Sequence, residues 1–143
     1  MAYVVGKKIV KDTKDFDSYA YGLTLPLKRG VNGFFEQSFT SIEQAKSNIR
    51  NLLLTKKGER IMQPEFGTGL RRLLFEPIDD TFEAKVEETI TRNVSFWLPY
   101  VSIKSIDIEM TDELKDKNQV NLSLEFTVGN QIDLQEVTFT VQG

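Results

Sequence analysis

The chain contains no cysteine and no histidine. Without cysteine it can build neither a disulfide framework nor a thiolate metal site. Without histidine, Ser-His-Asp and Cys-His catalysis are excluded, as is any metal site built on imidazole. Long apolar runs are missing too, and nothing approaches the roughly 18 consecutive apolar residues of a membrane span. The stretch from Met1 to Lys14 alternates lysines and valines without a continuous apolar segment, so it does not read as a secretory signal. No cofactor and no metal are expected. A cysteine-free composition fits the cytosol, among other compartments.

What is present fits an ordinary globular domain. A chain of 143 residues with 40% hydrophobic and 27% charged content can bury a core of normal size. The net charge of −3 is uneven. Residues 1–40 carry +2 and residues 41–104 carry +1, whereas residues 105–143 carry −6. Phosphate binding needs a basic face, so this acidic end argues against a nucleic-acid partner. It reads as a solvated surface or as a docking face for a basic partner.

Residues 1–40 hold short extended pieces. Val4-Val5 and Ile9-Val10 have strand character, Asp12 to Asp17 reads as a loop, and Pro26, Gly30 and Gly33 forbid a long helix. This segment is expected to be an arm, followed by a single domain over 41–143. Thr40 with Glu43 makes a capping-box pattern. Ile42, Ala45, Ile49, Leu52 and Leu53 then recur at helical spacing, which predicts a helix over 41–56 ended by Gly58. Pro64, Gly67 and Gly69 mark an ordered loop, and Leu70, Leu73, Leu74 and Phe75 a short helix stopped before Pro77. Asp79, Asp80 and Thr81 offer caps for a second long helix, with Phe82, Val86, Ile90, Val94 and Trp97 as its buried stripe and Pro99 as its end.

Beyond Pro99 the period changes to two. Val101 and Ile103 alternate, then Ile106, Ile108 and Met110 continue one residue out of phase, which predicts a β-bulge near Lys104-Ser105. Thr111 to Asn118 reads as a turn or a flexible loop. Val120, Leu122, Leu124, Phe126 and Val128 alternate with polar residues as the strongest strand. Gly129-Asn130 suits a tight turn. Ile132 and Leu134, then Val137, Phe139 and Val141, read as a last strand with a second phase shift. The expected class is α+β: an irregular N-terminal arm, two main helices, then a three-stranded antiparallel meander.

Carboxylates are the remaining candidates for catalysis. Glycoside hydrolysis needs a pair, roughly 5–5.5 Å apart for retention or 6.5–9.5 Å for inversion. Glu59, Glu65 and Glu76 lie close in sequence, yet each also has a structural reading, as a local ion pair, a loop acceptor and a helix-end residue. Gly67-x-Gly69 is too short for a phosphate-binding fingerprint. Asp79-Asp80 and Asp112-Glu113 lack calcium-loop spacing. Arg71-Arg72 reads as the exposed face of a short helix.

The middle of the chain, from Ile49 through Gly58-Glu59-Arg60 to Pro64-Glu65-Phe66-Gly67 and on to Leu74-Phe75-Glu76-Pro77, resembles the baseplate wedge, or sheath-initiator, family of contractile-tailed phages. Related injection machines such as type VI secretion systems and tailocins look to carry the same family. Leu25-Pro26-Leu27 and Gly33-Phe34-Phe35 are similar to its lead-in, so the likeness covers roughly residues 23 to 110. It implies six copies around the tail tube, contacts with other wedge subunits and with the tail sheath protein, and no nucleic-acid or membrane partner. It implies a place in the virion tail baseplate or an equivalent particle, assembled in the host cytoplasm. Family members commonly end the second long helix in Glu-Pro-Arg, a wedge-docking segment. Here Leu98-Pro99-Tyr100 stands there, which implies docking by apolar contact. The sheet resembles the strand-exchanging domain of sheath subunits, making Val120 to Val128 and Ile132 to Val141 the candidate sheath-facing strands. Some members have carried a lysozyme label, so a peptidoglycan-cleaving glycosidase is the alternative. A sheath or tube subunit fits this helix-then-sheet order less well.

Overall fold

A computed structural model of the chain describes residues 19–30, 34–75, 81–111, 113, 119–129 and 133–142. The chain divides into two compact units, Met1–Ser47 and Asn48–Gly143.

In the first unit, β1 (Gly22–Leu23) and β2 (Gln37–Ser38) pair antiparallel. The strand pairs suggested at Val4-Val5 and Ile9-Val10 lie outside the described residues. Helix α1 (Ser41–Leu54) starts with a modified capping box. The Glu43 N–H donates to Thr40 Oγ1 at 3.2 Å, but the Glu43 carboxylate accepts the N–H of Phe39 at 3.1 Å, one residue earlier than the standard box. Side chains of this first half of α1 also tie down the preceding segment. The Leu25 N–H donates to Ser47 Oγ at 3.1 Å, and the Ser38 hydroxyl donates to Gln44 Oε1.

The helix ends at Leu54 rather than Lys56. Thr55 turns its hydroxyl back onto the Asn51 carbonyl, and Lys56 leaves the helical path to form a parallel bridge with Thr68. A tertiary main-chain pairing thus overrides a helix that propensity alone would continue.

In the second unit, α2 (Leu70–Leu73) and α3 (Phe82–Trp97) precede one antiparallel sheet of β3 (Val101–Glu109), β4 (Gln119–Val128) and β5 (Gln135–Gln142). Its order is β3-β4-β5, and the expected α+β class with helices before a meander is what the structure has. Val120, Leu122, Leu124, Phe126 and Val128 of β4 are all buried. Opposite them on β5 stand Val141, Phe139 and Val137, also buried. On β3 the register slips between Ile103 and Ser105, as the phase change predicts. That one-residue slip keeps Val101 and Ile103 across from Val128 and Phe126, and Ile106 and Ile108 across from Leu124 and Leu122. Without it, half of the apolar residues of β3 would face the other side of the sheet.

The opposite face is polar and bonded across strands. Ser105 Oγ donates to Glu125 at 2.6 Å, Ser123 Oγ to Glu136 at 2.6 Å, and Thr140 Oγ1 to Asn121 at 2.8 Å. On the apolar side α3 packs against β3, and α2 touches α3 and β5. The stripe of α3 is Phe82, Val86, Ile90 and Val94, all buried. It continues to Leu98 rather than Trp97, because a spacing of four runs straight on from Val94 while Trp97 falls to one flank, half-buried. Leu70, Leu74, Phe82, Val86, Val120, Leu122 and Val141 surround a void of about 10 Å³, at the limit for one water.

The last strand also departs from expectation. It begins at Gln135, so Leu134 precedes it and is 52% exposed, while Ile132 lies outside the described residues. Val137, Phe139 and Val141 therefore keep a single phase within β5.

Phe126 is 0% exposed, so Phe126→Ala should lower stability by about 3–5 kcal/mol in urea unfolding. Ser123→Ala, on the polar face, should cost about 1 kcal/mol or less.

Candidate functional site

Residues 55–69 form a loop whose neck is closed by main-chain bonds. The Thr68 N–H donates to the Thr55 carbonyl at 3.1 Å, and the Thr68 hydroxyl donates to the Leu53 carbonyl at 2.9 Å. Gly67 sits at φ +105°, and a Cβ there would strike the Thr55 carbonyl oxygen. Gly58, at φ +86°, donates its N–H to the Pro64 carbonyl at 2.8 Å, while a Cβ there would meet open space. Glu59 accepts the Lys56 N–H at 3.0 Å.

Arg60 joins this loop to its surroundings. Its Nη2 donates to Asn51 Oδ1 of α1 at 3.1 Å, and its guanidinium lies 3.8 Å from the Phe66 ring centroid. Phe66 in turn meets Trp97 of α3 edge-on, with centroids 5.2 Å apart. The chain Asn51, Arg60, Phe66, Trp97 thus links α1, the loop and α3 through one hydrogen bond, one cation–π contact and one aromatic pair. Pro64 and Glu65 are exposed; Leu74 is buried, and Phe75 is 69% exposed.

At the end of α3 the three docking candidates separate. Leu98 belongs to the core, whereas Pro99 and Tyr100 are exposed. The Tyr100 hydroxyl accepts a hydrogen bond from Asn48 Nδ2 at 2.7 Å, which fixes the ring while leaving it 40% exposed. Phe96, not singled out from the sequence, is 75% exposed and stands 5.1 Å from Trp97. Its signal was an aromatic residue off the apolar stripe of an otherwise polar helix face. Ile61 and Met62, at 94% and 91% exposure, are further apolar groups left open on the loop.

In the sheet, β4 lies between its two neighbours, so its main chain is paired on both sides and cannot accept a further strand. Its five apolar side chains, like Val137, Phe139 and Val141, point into the core. Among the described residues, the outer edges of β3 and β5 are the ones without a neighbouring strand. The Thr138 carbonyl accepts Arg50 Nη2 at 3.0 Å, so it points away from β4. By antiparallel geometry Glu136 and Thr140 turn their main-chain groups the same way.

Among the described residues no group of three or more Asp or Glu side chains is placed to hold a metal ion, and no helix is long and apolar enough to cross a membrane.

The family profile described as baseplate wedge protein gp25 matches residues 41–135. The chain belongs to this wedge family. The match runs from the start of α1 to the start of β5 and includes the clasped loop and the α3 terminus. No curated protein sequence gives a significant match. Solved structures that share the fold include the following three. A Geobacter sulfurreducens protein provisionally named a tail lysozyme aligns at 22% identity and TM-score 0.63, covering 72% of this chain and 91% of that one. The baseplate of the anti-feeding prophage contains a chain 18% identical with TM-score 0.56, covering 84% of this chain and 82% of that one. The postcontracted baseplate of pyocin R2 contains one at 17% and 0.50, covering 82% and 98%. Wedge-family membership carries a structural role in the baseplate of a contractile-tail particle, assembled with other baseplate subunits.

The two positive-φ glycines of the clasped loop, Gly58 and Gly67, separate two costs. Gly58→Ala should lose about 1–3 kcal/mol from backbone strain alone. Gly67→Ala should lose more, since its methyl group also meets the loop neck, and urea unfolding of the two variants measures the difference.

Proposed function

We propose that this chain is a structural, non-enzymatic wedge subunit that docks on neighbouring wedge proteins and initiates the tail sheath by accepting a strand along β5. The carrying observation is the edge of β5. This strand keeps an unbroken register with β4 from Gln135 to Gln142 and turns alternate main-chain groups outward. The other edge, β3, is interrupted by its bulge, a feature that discourages edge pairing. Strand addition draws its affinity from main-chain hydrogen bonds, and at β5 it would displace Arg50 from the Thr138 carbonyl. Six copies around the tube, assembled in the host cytoplasm, would present six such edges to the first sheath ring.

Wedge docking is assigned to the exposed apolar groups at the α3 terminus, Pro99 and Tyr100, extended by Phe96. Leu98 supports them from the core. Contact here is apolar, since neither charge of the Glu-Pro-Arg segment is present.

The rival reading, a muramidase, takes its support from the name given to the Geobacter structure. Against it, the Glu59 carboxylate is held by the Lys56 main-chain N–H, and Glu65 stands exposed on the loop. Glu76 lies outside the described residues. Purified protein should leave peptidoglycan turbidity unchanged. Robust clearing that disappears in Glu65→Gln would establish the enzyme instead.

The edge is tested by Thr140→Pro. Proline removes an outward N–H without touching the β4 ladder, so the fold should survive, with a cost of about 1 kcal/mol for the lost hydroxyl bond to Asn121. Far-UV circular dichroism should match the unsubstituted chain while sheath assembly on reconstituted baseplates fails. Normal sheaths from a folded variant would remove β5 from the mechanism.

A further inference from the structure

A cleft of about 590 Å³ opens between the neck of the clasped loop and α2, lined by Lys56, Lys57, Thr68, Gly69, Arg71, Arg72 and Phe75. Four of these side chains are cationic, and all four residues are exposed. Among the described residues none of the four charged groups takes part in a hydrogen bond or an ion pair. The Glu59 carboxylate, the nearest acid in sequence to the two lysines, is turned onto the main-chain N–H of Lys56. Four like charges around one concavity repel one another, and nothing described there offsets the repulsion. Phe75 adds a 69% exposed aromatic ring to the same wall.

We propose that this cleft receives an acidic segment of a partner protein that carries an apolar side chain among its carboxylates. Charge complementarity selects the acid: two guanidinium groups offer planar forks for bidentate carboxylate binding, and two lysines offer mobile point charges. Phe75 selects the apolar side chain, since the hydration of an exposed ring is released only if something packs on it. A flat face, such as the acidic outer surface of another copy's sheet, would not fill a concavity, whereas a protruding segment does. A protein is favoured over nucleic acid because the family's setting is protein assembly and the chain as a whole is acidic, at −3. The cleft is built from the loop neck and α2, and the proposal does not depend on strand addition at β5.

The test uses the full chain and a labelled peptide with three glutamates on either side of one phenylalanine, followed by fluorescence anisotropy. Binding should saturate, weaken as salt rises, and fall by roughly tenfold or more in the Arg71→Glu/Arg72→Glu variant. Phe75→Ala should lose affinity for this peptide but not for its alanine-centred analogue. Arg92→Glu, at an exposed cation elsewhere on α3, should bind as the unsubstituted chain does. Lys56→Gln/Lys57→Gln supplies a second, charge-neutralising variant should the first fail to fold. No saturable binding, equal binding by the cleft variants, or tighter binding of single-stranded oligothymidylate would each overturn the proposal. Because sheath assembly is not the readout, failure here leaves the β5 reading intact, and failure of Thr140→Pro leaves this one intact.

Discussion

The unbroken alternation of β4 sets the terms for the second unit. Its five apolar side chains form the middle of the sheet's buried face, and both neighbouring strands must present matching residues across from them. On β5 this needs no adjustment. On β3 it needs one extra residue at Lys104, and the bulge there is the consequence of that demand rather than a local irregularity. Once the face is continuous, α3 can lay Phe82, Val86, Ile90, Val94 and Leu98 onto it at a single spacing of four. The bulge also marks β3 as the poorer edge, so the residue that completes the core also bears on which edge suits a partner.

The clasped loop serves the same end. Residues 55–69 contain most of the residues on which the resemblance to the wedge family was read, and their contacts face inward: Gly67 against Thr55, Thr68 against Leu53, Arg60 between Asn51 and Phe66. These bonds hold the C-terminus of α1 at a fixed distance from α3. They leave the outward surfaces of the loop and of α3 to Ile61, Met62, Phe96 and Tyr100 on one hand and to the four cations on the other. The residues that carry the resemblance are therefore largely scaffold, and the surfaces proposed for binding lie beside them.

Much of this was legible in the sequence because it depends on period. The α+β order, the two main helices, the short helix after Gly69, the bulge at Lys104 and the alternation of β4 all follow from where apolar residues recur. Features that depend on distant partners were not legible. Helix α1 stops two residues early because Thr68, far along the chain, captures Lys56. Leu98 joins the core because the stripe of α3 is counted from Phe82, not from the proline that ends the helix. Leu134 looked like a strand residue, yet β5 begins after it. That β4 is the middle strand, and so closed to a partner, could not be read from alternation, which is the same for an edge as for a centre. Phe96 and the cluster of Lys56, Lys57, Arg71 and Arg72 are properties of surfaces assembled from separate segments.

In the proposed role, the edge of β5 is completed by a strand from another protein. A map of the assembled particle, at a resolution that separates strands, tests it most directly. A fourth strand from a different chain should lie alongside Gln135–Gln142, at about 4.8 Å and with Arg50 displaced from Thr138. A β5 edge that faces solvent in the finished particle, or is covered only by this chain's own residues, would contradict it.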